Sequence, residues 1–181
     1  MKNNYIENYL KKLSNCLVKF NKKDFSKIIE MINKIKKKRK KIILVGNGGS
    51  AAMASHVSVD FTKIAKIRAV NFNEADLLTC FSNDYGYENW VKEALSFYAD
   101  KEDLVICISS SGESKNIING AKFAIKNGCK VVTLTGFNKY NKLKKIGDVN
   151  LWLDSNNYNI IEMTHHIWLL SIVDYLAESK F

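Results

Sequence analysis

The chain has 181 residues, of which 46% are apolar and 25% charged, contains no proline and carries a formal net charge of +10. That length and apolar share suit one globular domain and exclude global disorder, and no apolar run approaches the roughly 20 residues of a membrane span. The opening MKNNYIENYLKKL lacks the apolar block and cleavage site of a secretory leader, and the four cysteines (Cys16, Cys80, Cys107, Cys129) form no CxxC pair, as expected of a reduced, cytoplasmic protein.

Residues 1–40 predict helix. Ile6, Tyr9, Leu10, Leu13, Leu17 and Phe20 recur at spacings of three and four, which gathers them on one face. A second helix carries Ile28, Ile29, Ile32 and Ile35, with Asp24 or Ser26 as its cap. It runs into KIKKKRKK, from Lys34 to Lys41, where much of the excess charge sits. With no zinc-finger spacing and no aromatic RNA-binding signature beside it, that run reads as a solvated helix end in preference to a nucleic-acid patch. A positive surface also suits an anionic substrate. The role of the run stays open.

From Ile42 the pattern changes. IILV, from Ile42 to Val45, is a short apolar run that enters GNGGS, as a buried strand enters a tight loop. IRAVNF, from Ile67 to Phe72, is a second strand candidate. LVICI, from Leu104 to Ile108, repeats the strand-to-loop grammar with SSSGES, and a helix with Ile117, Ile118, Ala121 and Ile125 follows until Gly128. CKVVTLT, from Cys129 to Thr135, and VNLWL, from Val149 to Leu153, are further strands, and a long apolar helix closes the chain from about Asn159 to Glu178. Strands alternating with helices predict an α/β fold: a three-layer αβα sandwich on a parallel sheet of about five strands. One domain spans 1–181, with a helical extension over 1–40 and the α/β core over 41–181.

Open parallel sheets bind ligands where their strands' carboxyl ends feed helix N-termini. Both serine-rich loops fall at such places. Gly46, Gly48 and Gly49 let backbone approach a ligand and Ser50 adds a hydroxyl, while Ser109, Ser110, Ser111 and Ser114 surround Gly112. Neither loop has the Walker lysine or the GxGxxG spacing, so no nucleotide cofactor is expected, and hydroxyls with N–H groups suit a phosphate monoester. The competing reading is two ordinary turns with capping serines. Three histidines complete the inventory. His56 and Asp60 share a helix face, as do Glu162 and His166, with His165 three residues from Glu162. Such a pair of helices presents zinc-type ligands or acid–base groups, or it merely ties two helices together.

These motifs resemble the SIS (sugar isomerase) domain, and within it the phosphoheptose isomerases. VGNGGSAAMASHVSVDF resembles their GNGGS strand and helix, SNDYGYEN their GNDFGF stretch, ISSSGES with KVVTLTG their ISTSGNS with KVITLTG, and NIIEMTHH their DRIQEIH segment. The resemblance implies an SIS-type fold and an aldose–ketose isomerase acting on sedoheptulose 7-phosphate, feeding nucleotide-activated heptose for surface polysaccharide. It implies that Ser50, Ser109, Ser111 and Ser114 bind phosphate, with Ser110 where the family has threonine. Asn47, beside Gly48 and Gly49, and Asp84 would meet the sugar, although Asn47 also suits a turn and Asp84 a helix cap. Such an isomerase needs a base, with Asp60 the first choice and Glu162 the second, and His165 or His166 to move the proton between oxygens; the resemblance implies zinc or another divalent metal on His56, Asp60 and Glu162. The family's last metal histidine falls at Leu170, so either His166, one turn earlier, takes its place or the metal is weakly held or absent. A homotetramer with sites at subunit interfaces is implied too. Non-catalytic SIS tetramers that bind a protein partner, such as a replication-initiator regulator, or that sense a phosphosugar, form the alternative.

Overall fold

The computed structural model describes residues 3–178. Strands β1 (Ile42–Val45), β2 (Ala69–Asn71), β3 (Leu104–Ile108), β4 (Lys130–Thr135) and β5 (Val149–Trp152) form one sheet in the order β2-β1-β3-β4-β5. Every neighbouring pair is parallel, with Ile42 opposite both Ala69 and Leu104, and Val105 opposite Val131. β1 and β3 begin and end where their apolar runs do. The IRAVNF strand shrinks to three residues because its ends have other partners: the Ile67 N–H reaches back to Phe61 O at 2.9 Å, and Phe72 is buried in the opposite layer.

Among the described residues seven α-helices accompany the strands: α1 (Asn3–Leu17), α2 (Lys22–Lys37), α3 (Gly49–Lys63), α4 (Ala75–Tyr85), α5 (Trp90–Tyr98), α6 (Lys115–Lys126) and α7 (Tyr158–Glu178). Neither Asp24 nor Ser26 caps α2; the cap is Asn21, whose side chain accepts from Lys23 N at 2.9 Å. α4 and α5 fill a stretch where the sequence pattern predicts no element. α4 buries no residue fully; only Leu77, Leu78 and Phe81 pack half-buried against the second core, a stripe too short to set the helix apart in the sequence.

Strand side chains alternate between two cores. Ile42, Leu44, Ile106, Ile108 and Leu134 face the layer containing α2, α3 and α7, while Ile43, Val45, Val105, Cys107 and Val131 face α5 and α6. Burial pushes the Cys107 thiol up to about 12 and that of Cys129 up to about 11, so both are unreactive core thiols. The expected apolar face of α1 divides: Tyr9 and Leu13 pack on the core, whereas Tyr5, Ile6 and Leu10 are exposed. Among the described residues, no helix is long and apolar enough to cross a membrane.

Candidate active site

Between β1 and β3 the strand order reverses, because the chain leaves β1 toward β2 on one side and returns to β3 on the other. The crevice outside the carboxyl ends of two such strands is where open α/β sheets hold ligands. Both serine-rich loops leave the sheet at this point.

In the first loop Gly48 takes a left-handed φ of 55° before α3 begins at Gly49. Ser50 N donates to Asn47 O at 3.0 Å, which closes the turn. Ser50 is buried, and its hydroxyl has no side-chain or backbone partner among the described residues. At Gly49 the space that a Cβ would take is filled by the carboxylate of Glu162, which α7 lays across the loop. Burial raises the Glu162 carboxyl above its ordinary value.

The second loop is held from beneath. Gly112 adopts φ 66°, and a Cβ on it would collide with the side chain of Asn141, a residue almost wholly buried. Leu143 N donates to Gly112 O at 3.0 Å, and Lys142 pairs with Glu113 at 2.9 Å. Ser109 Oγ accepts from Gly112 N and donates to Ser114 Oγ, each at 3.2 Å. Ser114 occupies the N-cap position of α6 without making a capping bond, so the capping reading fails at this serine. Ser111 Oγ accepts from Glu113 N at 3.2 Å. The Ser110 hydroxyl is buried and has no hydrogen-bond partner among the described residues, while the Ser110 carbonyl accepts from Gly136 N at 2.7 Å.

Two residues that the sequence pattern does not single out join these loops. Asn116, 2% exposed on the first turn of α6, exchanges amide hydrogen bonds of 3.0 and 2.8 Å with Asn47. The Tyr87 hydroxyl donates to the same Asn47 Oδ1 at 3.2 Å. Asn47 therefore does more than hold a turn, since its amide is fixed on two sides. Asn47, Tyr87, Ser114 and Asn116 line an open cleft of about 460 Å³, with Glu88 and Lys115 at its rim. Asp84 stands outside this lining, exposed in the last turn of α4. Its carboxylate accepts from Asn83 Nδ2 at 2.9 Å and raises the neighbouring Cys80 thiol. It caps no helix start.

The histidines separate. His165 is fully buried beside Trp168; burial lowers its pKa to about 3, against a small opposing effect of the Thr135 backbone, and neither ring nitrogen has a well-formed hydrogen bond. His56 and His166 meet at the α3–α7 seam, with His166 Nε2 3.0 Å from His56 Nδ1 and Asp60 Oδ2 3.2 Å from His56 Nε2. Burial first, and then His56, lower the His166 pKa. This donor set does not fit one zinc ion. The two nitrogens of an imidazole point away from each other, so an ion between His56 Nδ1 and His166 Nε2 leaves Asp60 on the wrong side of the ring. Glu162 meanwhile faces Gly49, and Leu170 packs on the core. Among the described residues no group of three His, Cys, Asp or Glu side chains is arranged to hold a metal.

Comparison with known proteins gives a consistent picture. A family model described as SIS domain matches residues 4–136. A phosphoheptose isomerase from Aliarcobacter butzleri is 38% identical over 131 residues, covering 69% of each chain. A probable phosphoheptose isomerase from Thermoplasma acidophilum is 34% identical over 148 residues, covering 78% of this chain and 80% of its own. Among solved structures, a phosphoheptose isomerase from Neisseria gonorrhoeae superimposes with a TM-score of 0.92 at 23% identity, over 98% of this chain and all of its own.

Proposed function

The chain belongs to the SIS domain family, and from that premise we propose that it is an isomerase interconverting sedoheptulose 7-phosphate and the corresponding aldoheptose 7-phosphate. The observation that carries this reading is the pair of hydroxyl-rich loops at the β1–β3 reversal, with Ser50 and Ser114 free of capping duties. Ser50, Ser109, Ser111 and Ser114, with N–H groups at the starts of α3 and α6, hold the phosphate; helix N-termini favour an anion there. Asn47, fixed by Asn116 and Tyr87, presents one amide edge to a sugar hydroxyl.

Isomerisation requires a base that takes the proton beside the carbonyl and returns it to the neighbouring carbon, through an enediol. We assign this to Glu162. It touches the first phosphate loop, and its burial moves it toward the pH at which a base both accepts and releases a proton. Asp60, the first choice from sequence, lies eleven residues along α3 from Gly49, about 16 Å by helical rise, and is engaged by His56. His56, Asp60 and His166 then act as a hydrogen-bonded tie across the seam, and His165 as a core residue. Because the metal donors share no common point, no step here runs through an ion. Exposed Tyr5, Ile6 and Leu10 on α1, together with Val59, Met163 and Ile167 on α3 and α7, support a tetramer with its sites near the interfaces. Light scattering at micromolar concentration tests this, and a monomer refutes it.

Incubation with a panel of ketose phosphates in heavy water tests the activity. Deuterium is expected at the carbon beside the carbonyl, together with aldose product. Tight binding with neither label nor conversion would instead establish the non-catalytic reading.

A further inference from the structure

The amino end of the sheet, opposite the serine loops, holds a separate concentration of charge. A cavity of about 460 Å³ there is lined by Lys36, Arg39, Lys40, Lys66, Ile67 and Arg68. None of these five cations forms an ion pair among the described residues. The carboxylates nearby are taken: Asp100 and Asp103 by Lys41, both at 2.7 Å, and Glu102 by Lys38. Lys40 and Arg68 still help to lower the Asp100 carboxyl, after the larger effect of Lys41, so their field is felt across the rim.

Helix ends alone do not account for this cluster. α2 and α3 both end here, and each C-terminus carries about half a negative charge. Together they offset about one of the five cations. The backbone supplies an independent observation. Arg39 and Lys66 are in the left-handed region, at φ 55° and 56°. Arg39 sits where a helix commonly ends in glycine, with Lys40 N bonded to Ile35 O and Arg39 N to Lys36 O, at 3.0 and 3.1 Å. Lys66 sits in the turn that lets Ile67 N reach Phe61 O. A non-glycine side chain is disfavoured in such a turn, and here Arg39 and Lys66 both place cations in the lining of the same cavity. Two more are held in place by backbone carbonyls: Lys36 Nζ donates to Ala65 O at 3.2 Å, and Arg68 Nη1 to Arg39 O at 3.0 Å.

We infer that this cavity is a second anion site, for a compact polyphosphate group such as a short inorganic polyphosphate or the phosphate chain of a nucleoside triphosphate. The cations converge on a pit, and no aromatic side chain lines it to stack on bases. A compact ligand therefore fits better than a nucleic-acid strand.

The left-handed turns supply a discriminating variant. Arg39→Gly with Lys66→Gly removes two charges at positions where glycine relieves strain, so the fold survives. Calorimetry on the full chain at low salt should show tripolyphosphate binding to the wild type. The double variant should bind about tenfold more weakly or less, with an unchanged or higher Tm and unchanged isomerase turnover. Lys122→Gln with Lys126→Gln lowers the net charge equally on the far face of α6 and should leave binding intact. Adenosine triphosphate binding as tightly as tripolyphosphate shows recognition of the phosphate chain alone, and tighter binding adds recognition of the nucleoside. Absence of binding, equal weakening by both variant pairs, or duplex DNA binding through Arg39 and Lys66 while tripolyphosphate does not, overturns the proposal.

Discussion

The two ends of one parallel sheet offer an anion different physics. At the carboxyl end, phosphate would be held by hydroxyls, N–H groups and helix N-termini, and a cation of the cleft, Lys115, stands exposed at the rim 3.4 Å from Glu88. At the amino end, helices terminate with their negative poles inward, and five side-chain cations surround one cavity. A site that must move protons benefits from the first arrangement, because fixed dipoles bind charge without placing a cation beside the base. A site that only binds has no such constraint.

The largest effect that would sharpen this contrast is on chemistry. Glu162→Gln should lower turnover by about 10²–10⁴-fold while phosphosugar still binds. In the wild type, the acidic limb of kcat/KM should lie above the ordinary carboxylate range, because burial raises this acid and the base works only once deprotonated. A Glu162→Gln enzyme of normal activity would return the role to Asp60.

Next in size is the cradle itself. Ser50→Ala combined with Ser111→Ala should reduce phosphosugar affinity by on the order of 100-fold with the fold retained, as read by calorimetry and circular dichroism. Unchanged affinity would mean that the carboxyl end does not hold the phosphate. Asn116→Leu leaves the half-buried Asn47 amide short of a partner, so it should cost about 1 kcal/mol of stability and raise KM more than it lowers kcat. A smaller response still is expected from chelation: activity should persist after metal removal, since His56 Nδ1 and Asp60 face opposite sides of one ring. Loss of activity that zinc restores would show that the ring turns in solution.

What was legible in the sequence follows from what was local. β1 and β3, with the loops after them, are continuous apolar runs broken by glycine and serine, and they stand where that pattern puts them. α4 was hidden because its apolar contact is confined to the half-buried Leu77, Leu78 and Phe81. Asn116 looks like any polar residue near a helix start, and only the meeting of α6 with the first loop gives it Asn47 as a partner. The histidine and carboxylate positions on α3 and α7 were visible by spacing. Their division into a Glu162–Gly49 contact and a His166–His56–Asp60 string depends on how the two helices lie against each other, which spacing within either helix cannot report.

The contact between Gly49 and Glu162 also bears on the order in which the protein is made. The phosphate loops belong to segments that leave the ribosome well before α7, yet the carboxylate assigned to proton transfer rides on α7 and reaches its place only when that helix docks on α3. Residues of α7, among them Ile161, Leu169 and Val173, also fill one of the two cores. A nascent chain lacking them thus has neither its reactive group nor a closed interior. During synthesis, the ability to react arrives together with stability and never ahead of it.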